Sequence, residues 1–91
     1  MNKNYNVYCL YSKSIDKLYI GKTNNIERRL AEHNRGLGSF TKRGGQWVLI
    51  GYIACKNNLE ASKLEIKLKK SKNSKYIKWY FQTHQQNNKI E

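Results

Sequence analysis

Proline is absent from this chain of 91 residues, so nothing along its length forbids a helix. Acid is scarce: six Asp and Glu stand against eighteen Lys and Arg, for a formal net charge of +12. No apolar run approaches the roughly 20 residues that span a bilayer, and the basic N-terminus leads into no signal-peptide core. Nor does any segment pair a basic helix face with a large apolar one, so a membrane surface is disfavoured as a partner. The only two cysteines, Cys9 and Cys55, lie far apart in apolar segments and read as buried, reduced thiols. With His33 and His84 they are too dispersed for a zinc site. The expected location is the cytoplasm, free or against the nucleoid.

What is present suffices for one packed domain spanning 1–91, with a core over about 5–85 and a polar tail, 86–91, that frays. The composition is 38% hydrophobic and 12% aromatic. So short a chain buries only roughly 60–65% of its unfolded surface, which leaves a thin margin of stability. The excess of positive charge attracts polyanions, and nucleic acid is the partner class it fits best. A lysine-rich, AT-biased genome would leave the same basic surface, and the many Asn, Lys and Ile residues agree with that too.

Periodicity predicts the order ββαβαα. Residues 5–11 (Tyr-Asn-Val-Tyr-Cys-Leu-Tyr) and 18–22 (Leu-Tyr-Ile-Gly-Lys) form a hairpin across a polar turn. Thr23-Asn24-Asn25 offers an N-cap for a helix from Ile26 to Asn34. Four glycines among residues 35–45 read as a flexible loop, which carries Arg35, Lys42 and Arg43. A third strand covers 46–55. Asn57 and Glu60 have capping-box spacing ahead of a helix to about Lys70, and a last helix runs from about Ser74 to Gln85. The fold class is α+β, a three-stranded antiparallel or mixed sheet flanked by helices.

Two helices carry charge where the core should be. In the first, Ile26, Arg29, Leu30 and His33 share the i, i+3, i+4, i+7 face; in the second, Ala61, Leu64, Glu65 and Leu68 do. An inward Arg or Glu is costly unless it is paired or reaches a wet cleft. Arg29 and Glu65 form an interhelical ion pair, or Arg29, His33 and Glu65 line a polar cleft, or these positions are stripe edges exposed to water. The cleft has the donors of a phosphate-chemistry site: a carboxylate for a divalent cation and a guanidinium for phosphate oxygens.

At this point the residues become recognisable. Asn6-Val7-Tyr8 in the first strand and Tyr19-Ile20-Gly21 in the second resemble the two signatures of the GIY-YIG nuclease superfamily, with Tyr19 eleven positions after Tyr8. Arg29 falls where that family carries an Arg on its first helix, and Glu65 falls where it places its metal-binding Glu. The stretch from Glu27 to Gly36 looks like small standalone bacterial members, and like the nuclease subunit of structure-specific endonucleases. The resemblance covers residues 5–70 or so and is specific as a set. It departs in two places. Asn6 replaces the first signature's glycine, and a late Asn found in some branches has only Asn73 as its counterpart.

The resemblance implies a metal-dependent DNA endonuclease, with branched or damaged DNA among its expected substrates. Glu65 would hold Mg²⁺ or Mn²⁺. Tyr8 would be the general base, its pKa lowered from about 10 by Lys22, Arg29 and the metal. Tyr19 would orient the water or the phosphate, Arg29 would stabilise the transition state, and His33 would relay a proton or contact phosphate. Lys22 is a further phosphate contact, and Arg35, Lys42 and Arg43 suit the nucleic-acid backbone. Trp47 and Tyr52 read as strand core sooner than as stacking platforms. No zinc-finger or helix-hairpin-helix domain is evident, so two expectations stand: the domain cuts alone, or a larger protein partner supplies target selection. Two other readings stand beside this one: a non-catalytic nucleic-acid-binding module on the same fold, and a small interaction domain that delivers a partner.

Overall fold

Side-chain alternation along the first strand decides the architecture. The computed structural model of the chain describes residues 5–36, 43 and 45–84. Within them β1 (Tyr5–Ser12) is the central strand of a sheet ordered β2-β1-β3, flanked by β2 (Lys17–Thr23) and β3 (Trp47–Cys55), and both pairings are antiparallel. Val7 and Cys9 point to one face and Tyr8 and Leu10 to the other, as a period of two requires. On the first face Val7, Cys9, Ile20 and Ile53 meet Ala61, Leu68, Ile77 and Phe81 from α2 (Asn58–Ser71) and α3 (Ser74–His84). On the second, Tyr8, Leu10 and Trp47 pack with Tyr19, Ile26 and Leu30, under α1 (Ile26–Asn34). The sheet is thus buried on both faces, and the predicted element order holds with ends that move by a residue or so.

A register shift lies between Cys9 and Leu10: Cys9 opposes Gly51, whereas Leu10 opposes Leu49. Ile50 is the extra residue. Strict alternation would send Trp47 and Leu49 to the face opposite Tyr52; the bulge keeps all three beneath α1.

Asparagine side chains set the helix starts. Asn25, Asn57 and Asn73 accept from the backbone N–H groups of Arg28, Glu60 and Tyr76 at 2.9–3.0 Å. At the far end of α1, Gly36 adopts φ +80°, a left-handed turn that costs glycine little, and its N–H closes on His33 O. Asn34 then ties α1 to the sheet: its Oδ1 accepts from Trp47 N at 2.7 Å and its Nδ2 donates to Trp47 O at 3.2 Å. Much of the predicted glycine-rich loop, including Lys42, lies outside the described residues. Among the described residues no helix is long and apolar enough to cross a membrane. Both cysteines are free; Cys9 is buried, and desolvation pushes its thiol up to about 12, which leaves it unreactive.

Candidate active site

Tyr8, Tyr19, Arg29 and His33 converge because β1, β2 and α1 present them to the same layer. Tyr8 comes from the centre of the sheet and is 2% exposed; His33, from the last turn of α1, is 1% exposed. Their side chains share a hydrogen bond of 2.9 Å between Tyr8 Oη and His33 Nε2. Tyr19 packs edge-on against the His33 ring, with centroids 4.9 Å apart, and lies 6.3 Å from the Tyr8 ring.

Gly21 makes room for this arrangement. It stands opposite Tyr8 in the β1–β2 register. A Cβ there would lie 2.5 Å from Tyr8 Oη, 2.7 Å from its Cζ and 3.2 Å from Cε2 of Tyr19. The glycine that ends the second signature is needed for space: any side chain would displace the phenol.

The electrostatics correct one sequence expectation. Tyr8 was expected to be acidified by Lys22, Arg29 and a bound metal together; the protein's own groups act the other way and push its pKa up to about 12. Burial is the main cause and the nearby Tyr19 the next; Arg29 pulls the value down without overcoming them, and the Glu65 carboxylate adds to the rise. Lys22 is not among the causes; its ammonium donates to Asn58 Oδ1 and Ser62 Oγ, both at 2.6 Å, and so fastens α2 to β2. His33 is held below its ordinary range, first by desolvation and then by the Arg29 charge, so the fold favours a neutral imidazole. With Nδ1 protonated, its Nε2 accepts from the Tyr8 hydroxyl.

The two inward charges are not paired with each other. Arg29 Nη1 donates to Glu32 Oε1 at 2.8 Å, three residues along its own helix. Glu65 Oε2 meets Lys69 Nζ at 2.9 Å, four residues along its own. The two helices are therefore not joined by an Arg29–Glu65 pair; each charge is met on its own helix. Glu32 and Lys69 went unremarked in the sequence, although i+3 and i+4 spacing marks both as helix-surface partners. The Glu65 side chain is 17% exposed, which leaves its carboxylate within reach of solvent. Among the described residues no group of three or more His, Cys, Asp and Glu could cage a metal. A lone reachable carboxylate fits Mg²⁺ or Mn²⁺, which keep several waters and take further oxygens from substrate phosphate.

The remaining predicted residues are spread out. Arg35 caps α1 and is exposed, Arg43 is exposed, and neither touches the cluster through a described contact. Trp47 is core at 2% exposure. Asn73 is occupied as the α3 cap.

Tyr8 and Tyr19 of the sheet, with Gly21 clearing the phenol, meet Arg29 and His33 of α1 on one face, and Glu65 stands on α2. The family model for the GIY-YIG catalytic domain matches residues 4–78. The chain belongs to the GIY-YIG nuclease family.

Relatives divide into two kinds. The chain is 41% identical over 54 residues to a UPF0213 protein of Nitratidesulfovibrio vulgaris, covering 58% of this chain and 49% of that protein. It is 36% identical over 76 residues to a UPF0213 protein of Orgyia pseudotsugata multicapsid polyhedrosis virus, covering 79% and 72%. A structure-specific endonuclease subunit SLX1 homolog of Drosophila ananassae is 37% identical over 71 residues, covering 67% of this chain and 24% of that protein. The chain thus spans about half of the first of these relatives and about a quarter of the last. No solved structure matches it.

Proposed function

We propose that this protein is a divalent-metal-dependent endonuclease that hydrolyses phosphodiester bonds in DNA, with branched DNA as its preferred substrate. The buried Tyr8–His33 hydrogen bond carries the reading. A tyrosine with a pKa near 12 is a poor free base at neutral pH, but a neutral imidazole bonded to its hydroxyl gives the proton somewhere to go. In the proposed step the attacking water loses a proton to Tyr8 Oη while the Tyr8 proton passes to His33 Nε2. The phenol remains neutral and the imidazole becomes imidazolium. Arg29 bears on the charge that develops on the phosphate; a guanidinium has five donors, of which Nη1 meets Glu32. Glu65 is the residue that would hold Mg²⁺ or Mn²⁺, and a bound cation supplies Lewis-acid charge against the phosphate oxygens.

The branched substrate rests on the likeness to an endonuclease subunit whose name states structure specificity. That word, "subunit", also favours a larger partner that selects the target. The competing reading is a nucleic-acid-binding module that no longer cuts, and the salt bridge neutralising Glu65 favours it.

Incubating the purified chain with a DNA four-way junction, a flap and a linear duplex, in Mg²⁺ or Mn²⁺, separates the two. The proposal expects cleavage fastest on the branched forms and abolished in Glu65→Gln. Salt-sensitive binding with no cutting under any metal would establish the binding module instead.

A further inference from the structure

Outside the active layer, the outer face of α3 presents aromatic rings and lysines together. Trp79 is 53% exposed, although tryptophan is a costly side chain to leave in water. It does not stand alone. Tyr76 lies 5.9 Å away and Tyr80 6.4 Å, measured between ring centroids. Lys67 of α2 sits over the Tyr80 ring at 5.4 Å. Ile77 and Phe81 take the inward face of α3, which turns Trp79 outward with Lys75 one helical turn before it. Six lysines fall between residues 67 and 78, and no Asp or Glu occurs between Glu65 and Glu91.

We propose that Trp79 is a stacking platform for unpaired bases of a nucleic-acid strand, with Tyr76 beside it and Lys67 and Lys75 taking the phosphates. The combination selects this occupant. An apolar protein surface would gain from the Trp but would have to desolvate the surrounding ammonium groups. A duplex would satisfy the lysines but keeps its base faces stacked internally. A single strand offers both a negative backbone and free π-faces. The proposal rests on nucleic acid being the substrate; it does not depend on cleavage, and it adds a contact for the single-stranded arm of a flap or gap.

The test uses the full chain in EDTA, so that nothing is cut, with fluorescein-labelled oligothymidylate of about 12 nucleotides and a matched duplex. Anisotropy gives the affinities, and tryptophan emission reports the platform, because Trp47 is buried and contributes a fixed background. Binding of the single strand should quench the emission. Trp79→Ala should weaken it about ten-fold, as expected for one lost stack, and should leave the duplex within two-fold. Trp79→Phe should keep most of the affinity. Lys75→Ala should lower the slope of log affinity against log salt by about 0.7.

Equal single-strand affinity in wild type and Trp79→Ala overturns the proposal. So does an equal loss on duplex, or a Trp79→Ala effect seen only in self-association, which would make the occupant a second copy. Those outcomes leave the nuclease reading standing, since junction cleavage and the effect of Glu65→Gln are measured separately. If wild type binds neither strand nor duplex, both readings fall.

Discussion

Tyr8 of β1 and His33 of α1 are joined by a 2.9 Å hydrogen bond, with only 2% and 1% of the two residues exposed. The bond pairs a phenol made less acidic by burial with an imidazole made less basic by burial. Each shift favours the neutral partner, and neutral partners suit a relay that moves a proton only when one is delivered. Removing the hydroxyl tests this most directly. In Tyr8→Phe the ring still fills the core, so circular dichroism should be unchanged. The lost bond should cost about 1 kcal/mol, lowering Tm by roughly 4–8 °C. Cleavage should fall by 10²–10⁴, the usual worth of a positioned acid–base group. A variant that cuts within ten-fold of wild type would remove Tyr8 from the chemistry.

Gly21→Ala separates space from chemistry. The added methyl brings no titratable group, but its Cβ would come within 2.5 Å of Tyr8 Oη. The ring must rotate or shift, and the bond to His33 should lengthen with it. Cleavage should drop by at least ten-fold, with kcat falling and KM nearly constant, because positioning of the base is lost and substrate contacts are kept. Full activity in Gly21→Ala would show that the Tyr8 position tolerates displacement.

The His33 shift sets a pH window. Its folded pKa lies below the ordinary 6.5, so the unfolded chain takes up a proton first as pH falls. The stability contribution is fully present above pH 6.5 and is lost as pH drops through the lower folded value. Glu32, itself lowered by Arg29, titrates below the ordinary 4.5 and leaves that window clear. Wild-type Tm should therefore decline as pH falls below about 6.5, whereas His33→Gln should lack that decline. Cleavage should weaken over the same range, because the protonated imidazole no longer accepts from Tyr8. A wild-type profile parallel to that of His33→Gln would show that His33 is not the titrating group.

The parts of this site that were legible in the sequence are those fixed by period and spacing. The two signatures put Tyr8 and Tyr19 on paired strands of one hairpin, and the helical stripe put His33 inward. Partner choice was not legible. Arg29 and Glu65 both pointed inward on paper, and only three-dimensional packing shows each taken by a neighbour on its own helix, Glu32 and Lys69. Strand order and the Ile50 bulge depend on contacts far apart in the chain, which short-range pattern cannot rank. The sign of the Tyr8 shift was also beyond it: cations near a phenol can be read from motifs, whereas the depth of its burial cannot.

Lys69 is where that gap has a consequence. Its ammonium sits 2.9 Å from Glu65, the carboxylate proposed to receive a divalent cation, and the two cations would compete for it. The pair is partly exposed, so its own worth to the fold is only about 0.3–0.5 kcal/mol. Lys69→Ala should therefore unfold within about 4 °C of wild type. Its effect should appear at the metal: with the competing cation gone, Mn²⁺ should bind several-fold more tightly, followed by electron paramagnetic resonance of the free ion without any substrate. The Mn²⁺ concentration for half-maximal cleavage should fall in step. Glu65→Gln should remove both responses, and adding Lys69→Ala to Glu65→Gln should restore neither, as expected when one residue acts only through the other. Unchanged Mn²⁺ binding in Lys69→Ala would mean that the ion is held elsewhere than on Glu65.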